Sequence, residues 1–217
     1  MRADTRLPCV ILGCGGHARS VLGLLTALNW PVAGCVSPKT PAEGWPKDCP
    51  WLGDDMTLNA LDPGNVVLAN GVGSVGSPAL RRKLYLAGRA LGFRFPTLAH
   101  PSSIFTNIRF DEGVQVMAGA ILQTGVTVGE NALINTGVIV DHDCQIGAHS
   151  HLAPGVTLSG SVHVNQNIFV GAGAVLIQGV SIGEDAIVGA GAVVTKDVAP
   201  GITVIGNPAQ PLEKKMI

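Results

Sequence analysis

The second half of the sequence repeats every six residues, and this period restricts the available folds more than any other feature of the chain. From Val114 to Asp197 the repeat runs through 14 hexads without an insertion. The sixth position is Gly, Asn or Asp in 12 of them, with His149 and Ser161 as exceptions. These residue types tolerate tight or left-handed turns. The third position is aliphatic in every hexad: Val116, Leu122, Val128, Ile134, Val140, Ile146, Leu152, Leu158, Val164, Val170, Leu176, Ile182, Val188 and Val194.

This pattern predicts a left-handed parallel β-helix. A period of six does not match the 3.6-residue turn of an α-helix, in which each glycine would also cost about 1 kcal/mol. A β-sandwich would alternate with a period of two and turn every 8–12 residues or so. Short strands joined by tight turns fit instead, because third-position side chains then stack inside a three-sided prism. Phe110 and Ile104 continue the pattern upstream.

The β-helix segment carries few charges. A prism surrounded by water should carry more, so we expect some of its faces to be buried against other subunits in a homotrimer. The charged residues between positions 114 and 197 are Glu130, Asp141, Asp143, Glu184, Asp185, Lys196 and Asp197.

The overall composition excludes several classes of partner. The formal net charge of the 217-residue chain is −1, which gives no electrostatic reason to bind nucleic acid or an anionic membrane. No apolar run approaches the roughly 18 residues of a membrane span, and the N-terminus lacks the features of a signal peptide. The five cysteines form no CxxC pair and indicate reduced thiols. We therefore expect a soluble, cytoplasmic protein.

The first half of the chain has a different organisation. Four apolar segments predict strands at Leu7–Leu12, Val32–Val36, Asn65–Asn70 and Arg94–Leu98. One helix follows the first strand, with Val21, Leu24, Leu25 and Leu28 at helical spacing. A second helix is predicted over Ser77–Leu91; its apolar face would hold Leu80, Leu84, Ala87 and Leu91, with Arg81, Arg82, Lys83 and Arg89 largely elsewhere.

Alternating strands and helices predict a small parallel, Rossmann-like α/β sheet. We expect an α/β domain over residues 1–100 that binds a nucleotide-linked ligand, and a β-helix domain with a C-terminal tail over residues 101–217.

Two glycine-rich turns follow predicted strands in the first domain. The first, Gly13-x-Gly15-x-x-Ala18, resembles a dinucleotide fingerprint, but the second strand ends in Ser37-Pro38 where that fingerprint needs an acid. This argues against a redox cofactor and leaves two readings, a phosphate-bearing ligand at the helix N-terminus or a purely structural turn. The second turn, residues 70–76 (NGVGSVG), could line the same crevice.

The polar cluster Asp141-His142-Asp143 is the strongest candidate for chemistry. His142 occupies the fifth hexad position, which elsewhere holds residues such as Ala118 and Thr136. An imidazole beside a carboxylate suits a general base. A solvated surface histidine is the alternative. A metal site is a third reading, but His142, His149 and His151 do not have the ligand spacing of the γ-class carbonic anhydrases, so no metal is expected.

Several motifs together resemble a known family. They are Gly15-Gly16-His17, the NGVGSVG turn, the segment Val140–Gly147 (VDHDCQIG), and the tail Gly206-Asn207-Pro208-Ala209, in addition to the hexads. The chain resembles bacterial hexapeptide acyltransferases that acetylate nucleotide-linked 4-amino-4,6-dideoxy sugars, a group with a sialic acid O-acetyltransferase branch. The combination of the GGH turn with His142-Asp143 is similar to the N-acetylating branch.

The resemblance implies a role for individual residues. It implies that His142 is the catalytic base and that Asp143 raises its basicity. It further implies that the nucleotide-sugar contacts Gly15, Gly16, His17 and Gly71, and that the acetyl-CoA groove between neighbouring solenoids is lined by His151, Gly160, Ala172 and Ala190. The family often has Asp at the end of the second strand, where this chain has Ser37-Pro38.

The expected activity is direct acetyl transfer from acetyl-CoA to the 4-amino group of such a sugar. The alternatives are a sialic acid-type O-acetyltransferase, a metal-dependent hydratase of the γ-carbonic anhydrase type, and a non-catalytic trimeric scaffold. The sequence does not distinguish UDP, GDP and dTDP as the carrier.

Overall fold

The computed structural model describes residues 6–212, which form a small α/β sheet followed by a long parallel β-helix. The helices are α1 (Gly16–Ala27) and α2 (Ala79–Ala90), and Asp55–Ala60 form a short 3-10 helix. The strands β1 to β23 are, in order, Cys9–Leu12, Val32–Val36, Trp51–Gly53, Val67–Asn70, Leu98–Ala99, Ile104–Phe105, Arg109–Phe110, Gln115–Val116, Ile121–Leu122, Thr127–Val128, Leu133–Ile134, Ile139–Val140, Gln145–Ile146, His151–Leu152, Thr157–Leu158, His163–Val164, Phe169–Val170, Val175–Leu176, Ser181–Ile182, Ile187–Val188, Val193–Val194, Thr203–Ile205 and Gln210–Pro211.

The N-terminal sheet has four parallel strands in the order β3-β2-β1-β4. The predictions of a Rossmann-like parallel sheet, of its first three strands and of both helices are confirmed. Strand β3 was not predicted, because Trp51–Gly53 is short and offers only one long aliphatic residue. All five cysteines are unpaired.

The fourth predicted strand, Arg94–Leu98, is wrong. Residues 94–97 form no strand, and Leu98–Ala99 pair instead with Gln115–Val116 as the first strand of the β-helix. The first strand of the β-helix therefore begins at Leu98, whereas the predicted β-helix domain starts at residue 101. Phe93 and Phe95 explain the error, because both side chains are buried under the N-terminal sheet without being part of a strand.

The predicted apolar face of α2 is also wrong. Leu80 and Leu91 are exposed, whereas Arg81, Tyr85 and Gly88 face inward. A side chain at position 88 would collide with Phe95 and Leu68, so only glycine allows α2 to approach the sheet this closely. The inward face is polar because α2 packs on a polar corner of the β-helix as well as on the sheet.

The β-helix confirms the hexad analysis. Strands pair in parallel with partners eighteen residues further along the chain, as Leu133 does with His151, so one coil contains three hexads. All 14 third-position side chains are buried and stack in a single core. The sixth-position residues from Gly119 to Gly191 have positive φ, including the exceptions His149 and Ser161.

The predicted extension of the hexad pattern upstream of Val114 is correct at Phe110 and wrong at Ile104. Phe110 pairs with Val128, a third-position residue. At the preceding strand, however, Phe105 pairs with the third-position residue Leu122, and Ile104 is 64% exposed. One connection of the first coil is a residue shorter than a hexad, which moves Ile104 to the outside.

The prism has three faces. We name one by the N-terminal domain that it carries and the other two by the character of their outward side chains. The N-domain face (β5, β8, β11, β14, β17, β20, β22, β23) carries the N-terminal domain, because Leu98, Met117 and Leu133 share a core with Ile11 and Ala18. The polar face consists of β7, β10, β13, β16 and β19, and the apolar face of β6, β9, β12, β15, β18 and β21. No helix within residues 6–212 combines the length and apolar character needed to cross a bilayer.

The core stacking predicts that substitutions at inward positions lower the free energy of unfolding much more than substitutions at outward positions of the same face. Ile182 on the polar face is fully buried, so Ile182→Ala should lower the free energy of unfolding by about 2–5 kcal/mol. His163, an exposed residue of the same face, serves as the control, and His163→Ala should change it by no more than about 0.5 kcal/mol. Urea unfolding followed by circular dichroism measures both. Equal effects would contradict the inward stacking.

Candidate active site

A crevice opens at the carboxyl ends of β1, β2 and β4. Its volume is about 450 Å³, and this is where ligands bind in open parallel sheets. The four residues expected to contact the nucleotide-sugar all lie in its wall: Gly15, Gly16, His17 and Gly71. The remaining wall residues are Gly13, Cys14, Ser37, Pro38, Lys39, Val72 and Gly73. The two glycine-rich turns therefore line one crevice, as the sequence predicted.

The glycines of the crevice serve two purposes. A Cβ atom at Gly71 would lie 2.5 Å from Cγ2 of Ile11 and 2.8 Å from the carbonyl oxygen of Leu12, so the turn can pack on β1 only without a side chain. Gly15 precedes α1 and no side chain caps that helix. The first backbone N–H groups of α1 are therefore available to an anion, and a phosphate at a helix N-terminus is a favourable arrangement.

Ser37 explains how the crevice differs from the family pattern at the end of the second strand. Its Oγ lies 2.6 Å from the carbonyl oxygen of Lys39 and 3.1 Å from Sγ of Cys14, so the side chain is engaged locally. The crevice presents Lys39 at this end and no carboxylate among its wall residues. The wall of the crevice therefore does not offer the carboxylate contact that an acidic residue would make.

His17 is tied to the β-helix. Its Nε2 lies 3.2 Å from Oε1 of Gln115, an outward residue of the N-domain face. Burial and the nearby Arg81 guanidinium lower the pKa of His17 to about 4. The imidazole is consequently neutral at physiological pH.

His151 lies under the second glycine-rich turn. Its Nδ1 is 2.6 Å from Oγ of Ser74, and its Nε2 is 3.1 Å from Nδ2 of Asn135. Burial, followed by the charge of Arg81, lowers the pKa of His151 to about 3. Its expected contact with acetyl-CoA stays a prediction; within one chain this side chain is buried at the junction of the two domains.

His142 and Asp143 form a pair at the corner between the apolar and polar faces. Nδ1 of His142 lies 2.9 Å from Oδ2 of Asp143, and Oδ1 of Asp141 accepts a hydrogen bond from the His142 backbone N–H at 2.7 Å. The side chain of His142 is 48% exposed. The hydrogen bond to Asp143 raises the pKa of His142 above its usual value.

Glycines on the neighbouring coils make room for this pair. Gly160 lies one coil above His142, and a Cβ atom there would come within 2.6 Å of Nε2 of the imidazole. Gly125 lies one coil below Asp143, where a Cβ atom would collide with the carboxylate. The structure therefore brings Gly160, expected from the resemblance to line the acetyl-CoA groove, directly against the candidate base.

Ala172 and Ala190 lie at a different corner, between the N-domain face and the apolar face. Both are exposed and lie one coil apart, and the Gly191 N–H donates to the carbonyl oxygen of Ala172 at 2.8 Å. The apolar face thus has His142 and Gly160 along one edge and the two alanines along the other.

The three histidines of the metal reading are separated. His142 is at one corner, whereas Nδ1 of His149 lies 3.1 Å from Nδ2 of Asn131 at another corner. His151 is engaged by Ser74 and Asn135. Between residues 6 and 212, no group of three or more His, Cys, Asp or Glu side chains is arranged to hold a metal ion.

Sequence reasoning missed the polar residues that join the two domains: Asn70, Ser74, Arg81, Gln115 and Asn131. Arg81 is fully buried although it lies in a basic run of α2 that looked solvated. Its guanidinium donates to the carbonyl oxygens of Asn70 and Val72 at 3.1 Å each. Only the outward, second-position location of Gln115 could have suggested a contact, because it places the side chain on a face of the prism.

Comparisons with known proteins agree with this architecture. Residues 9–87 match the PglD N-terminal domain, residues 125–160 the bacterial transferase hexapeptide (six repeats), and residues 161–196 the hexapeptide repeat of succinyl-transferase. No match was found among curated protein sequences.

Solved structures are similar over nearly the whole chain. A variant of perosamine N-acetyltransferase from Caulobacter crescentus, in complex with CoA and GDP-perosamine, is 39% identical with a TM-score of 0.88 over 95% of this chain and 97% of that one. The acetyltransferase domain of PglB from Neisseria gonorrhoeae, in complex with acetyl coenzyme A, is 33% identical with a TM-score of 0.87 over 95% and 100%. WeeI from Acinetobacter baumannii is 25% identical, with a TM-score of 0.83 over 94% and 99%.

These likenesses cover both domains and join them in the same order as in this chain. The protein is therefore an acetyltransferase that belongs to the bacterial hexapeptide-repeat family of nucleotide-sugar N-acetyltransferases.

Proposed function

We propose that the protein transfers the acetyl group of acetyl-CoA to the 4-amino group of a nucleotide-linked 4-amino-4,6-dideoxy sugar. The observation that carries this function is the His142–Asp143 pair, held beside Gly160 on the surface of the β-helix. The glycine-lined crevice supplies a separate place for the nucleotide. The similar Caulobacter enzyme was solved with CoA and GDP-perosamine. These correspond to the acetyl carrier without its acetyl group and to a nucleotide-linked amino sugar.

The geometry of the His142–Asp143 pair supports His142 as the general base. Its Nδ1–H donates to Asp143, which leaves Nε2 unprotonated on the side next to Gly160. Nε2 accepts a proton from the amine as the amine nitrogen attacks the thioester carbonyl. A C–N bond forms, the C–S bond breaks, and the CoA thiolate leaves and takes up a proton. A positioned general base contributes roughly 10²–10⁴ to the rate.

The crevice orients the acceptor. Backbone N–H groups at the start of α1 face the position where a diphosphate binds best, and Lys39 adds a positive charge at the end of the crevice near β2. His17 lies at the opposite end, against the β-helix. This order supports a nucleoside near Ser37 and Lys39 and a sugar that extends toward the β-helix.

The apolar face supports a homotrimer. Its outward row is aliphatic except for one threonine and includes Ile139, which is 43% exposed: Ile104, Ile121, Ile139, Thr157, Val175 and Val193. A second copy of the chain covers this row in the proposed assembly. Around a three-fold axis, the His142 edge of one subunit then meets the Ala172–Ala190 edge of the next, which creates the groove for acetyl-CoA.

The five unpaired thiols support a cytoplasmic location, where the compartment keeps cysteines reduced.

The central test measures thiol release from acetyl-CoA with UDP-, GDP- and dTDP-linked 4-amino sugars. Wild-type protein should turn over one of them, and His142→Ala should lose roughly 10²–10⁴ of the rate. Gly160→Ala should also reduce turnover, because its methyl group would displace the imidazole. The exposed His163→Ala is the control. Turnover only on sialic acid would favour O-acetylation, and full activity in His142→Ala would refute the assignment of the base.

The carboxylate partner predicts a shift in the pH profile. Asp143 raises the pKa of His142, so Asp143→Asn should lower that pKa and move the acidic limb of the log kcat/KM profile to lower pH. The plateau should fall, because a weaker base accepts the proton less readily. Asp185→Asn is a matched control, since Asp185 has the same hexad position and a positive φ. NMR titration of His142 provides an independent measurement, and an unchanged pKa would exclude the proposed role of Asp143.

The oligomer has its own test. Ile139→Asp introduces a charge at the centre of the outward row and should convert trimers to monomers in sedimentation velocity. His163→Asp, on the polar face, should leave the trimer intact. A monomeric wild-type protein, or a trimer that tolerates Ile139→Asp, would contradict the proposed interface.

A further inference from the structure

We propose that Gln115 and Arg81 are positioning residues that hold His17 as a neutral, Nε2-protonated imidazole, so that its Nδ1 accepts a hydrogen bond from a hydroxyl or amino group of the bound sugar. This inference rests on the proposed function and assigns one contact of the sugar subsite. It also assigns a purpose to the buried polar cluster between the domains.

The orientation of the Gln115 amide is fixed by its neighbours. Its Nε2 donates to the carbonyl oxygen of Asn70 at 3.0 Å. Its Oε1 accepts from Nη2 of Arg81 at 3.1 Å, and the guanidinium has only donors to offer. The oxygen of the amide therefore faces both Arg81 and His17. Reversing the amide would set its NH2 group against the donors of Arg81 and its oxygen against the carbonyl oxygen of Asn70.

This orientation determines which nitrogen of His17 carries the proton. Oε1 of Gln115 can only accept, so the Nε2 atom of His17 at 3.2 Å must donate. In a neutral imidazole the other nitrogen, Nδ1, then has a free lone pair. No hydrogen-bond partner of this atom lies among the described residues, and His17 is part of the crevice wall. The unused lone pair is thus available to a ligand.

The positive charge of Arg81, together with burial, keeps the imidazole of His17 neutral. Arg81 is completely buried and donates to carbonyl and amide oxygens of Asn70, Val72, Gln115 and Asn131, all of them uncharged. Its positive charge therefore acts on both His17 and His151, the titratable group next to His17. A second positive charge on His17 would be buried beside the first.

The free lone pair on Nδ1 of His17 determines which kind of ligand group can bind there. A lone pair attracts an O–H or N–H donor and repels a phosphate oxygen, so the diphosphate belongs at the backbone N–H groups of the first turn of α1 and not at the imidazole of His17. His17 lies at the end of the crevice closest to the N-domain face of the β-helix. In the proposed trimer, the Ala172–Ala190 edge of that face meets the His142 edge of a neighbouring subunit. The sugar must reach that end for its amine to be acetylated, which makes a sugar hydroxyl or amine the expected partner.

The first experiment observes the histidine nitrogens by 15N NMR in wild-type protein, with His17→Asn used to assign the signal. We expect a protonated Nε2 and an unprotonated Nδ1 in the free protein. The Nδ1 resonance should shift when the amino-sugar nucleotide binds and stay in place with UDP, GDP or dTDP alone. A protonated Nδ1, a shift caused by the nucleotide alone, or no shift with the sugar would each overturn the inference.

The second experiment changes Gln115, which accepts the hydrogen bond from His17. Gln115→Glu still accepts from both donors, but its carboxylate favours the charged imidazole. The carboxylate should raise the pKa of His17. The KM for the nucleotide-sugar should therefore rise about tenfold at low pH, where His17 is charged, and recover as the pH is raised and His17 loses its proton. The KM for acetyl-CoA should change by less than about twofold. Gln145→Glu is the matched control, being an exposed glutamine at the same hexad position.

The outcomes separate the inference from the proposed function. If wild-type protein releases no thiol with any amino sugar, the proposed activity fails, while the NMR spectrum still reports the state of His17. If the enzyme is active and Gln115→Glu raises both KM values alike at every pH, then Gln115 has only a structural role and the inference fails.

Discussion

The eighteen-residue coil of the β-helix is the constraint on which the rest of the molecule depends. Burial of the third-position side chains fixes the register, because a slip by one residue would turn the aliphatic row outward. That register places Gly160 against His142 and Gly125 against Asp143. The His142–Asp143 pair thus has its present geometry because residues one coil away lack side chains.

The second determinant is the polar junction between the two domains. Arg81, Gln115 and Asn70 exchange hydrogen bonds across it, and none of these contacts involves an acidic group. Buried polar groups of this kind are favourable only when they are fully paired, so the junction specifies one arrangement of the domains. It also connects the crevice to the β-helix through His17 and, on the other side of the turn, through Ser74 and His151.

The sequence predicted most of the elements that have a regular repeat or a glycine turn. It predicted fewer of the contacts that depend on irregular packing. The hexads, the first three strands and the glycine crevice were evident because each has a local period or a turn that needs glycine. Ile104 was misplaced because one connection of the first coil is shorter than the repeat. The inward face of α2 was misjudged because Arg81 and Tyr85 meet a polar partner, which a hydrophobic pattern does not reveal.

The sequence by itself determined the β-helix, its inward rows and the position of His142 between two carboxylates, because these follow from local periodicity and adjacency. Only the tertiary structure decided which face carries the N-terminal domain and which face stays apolar and open. It alone brought Gln115 to His17 and Ser74 to His151, pairs separated by 98 and 77 residues. Such contacts depend on how two folded units fit together, and no local pattern encodes that fit.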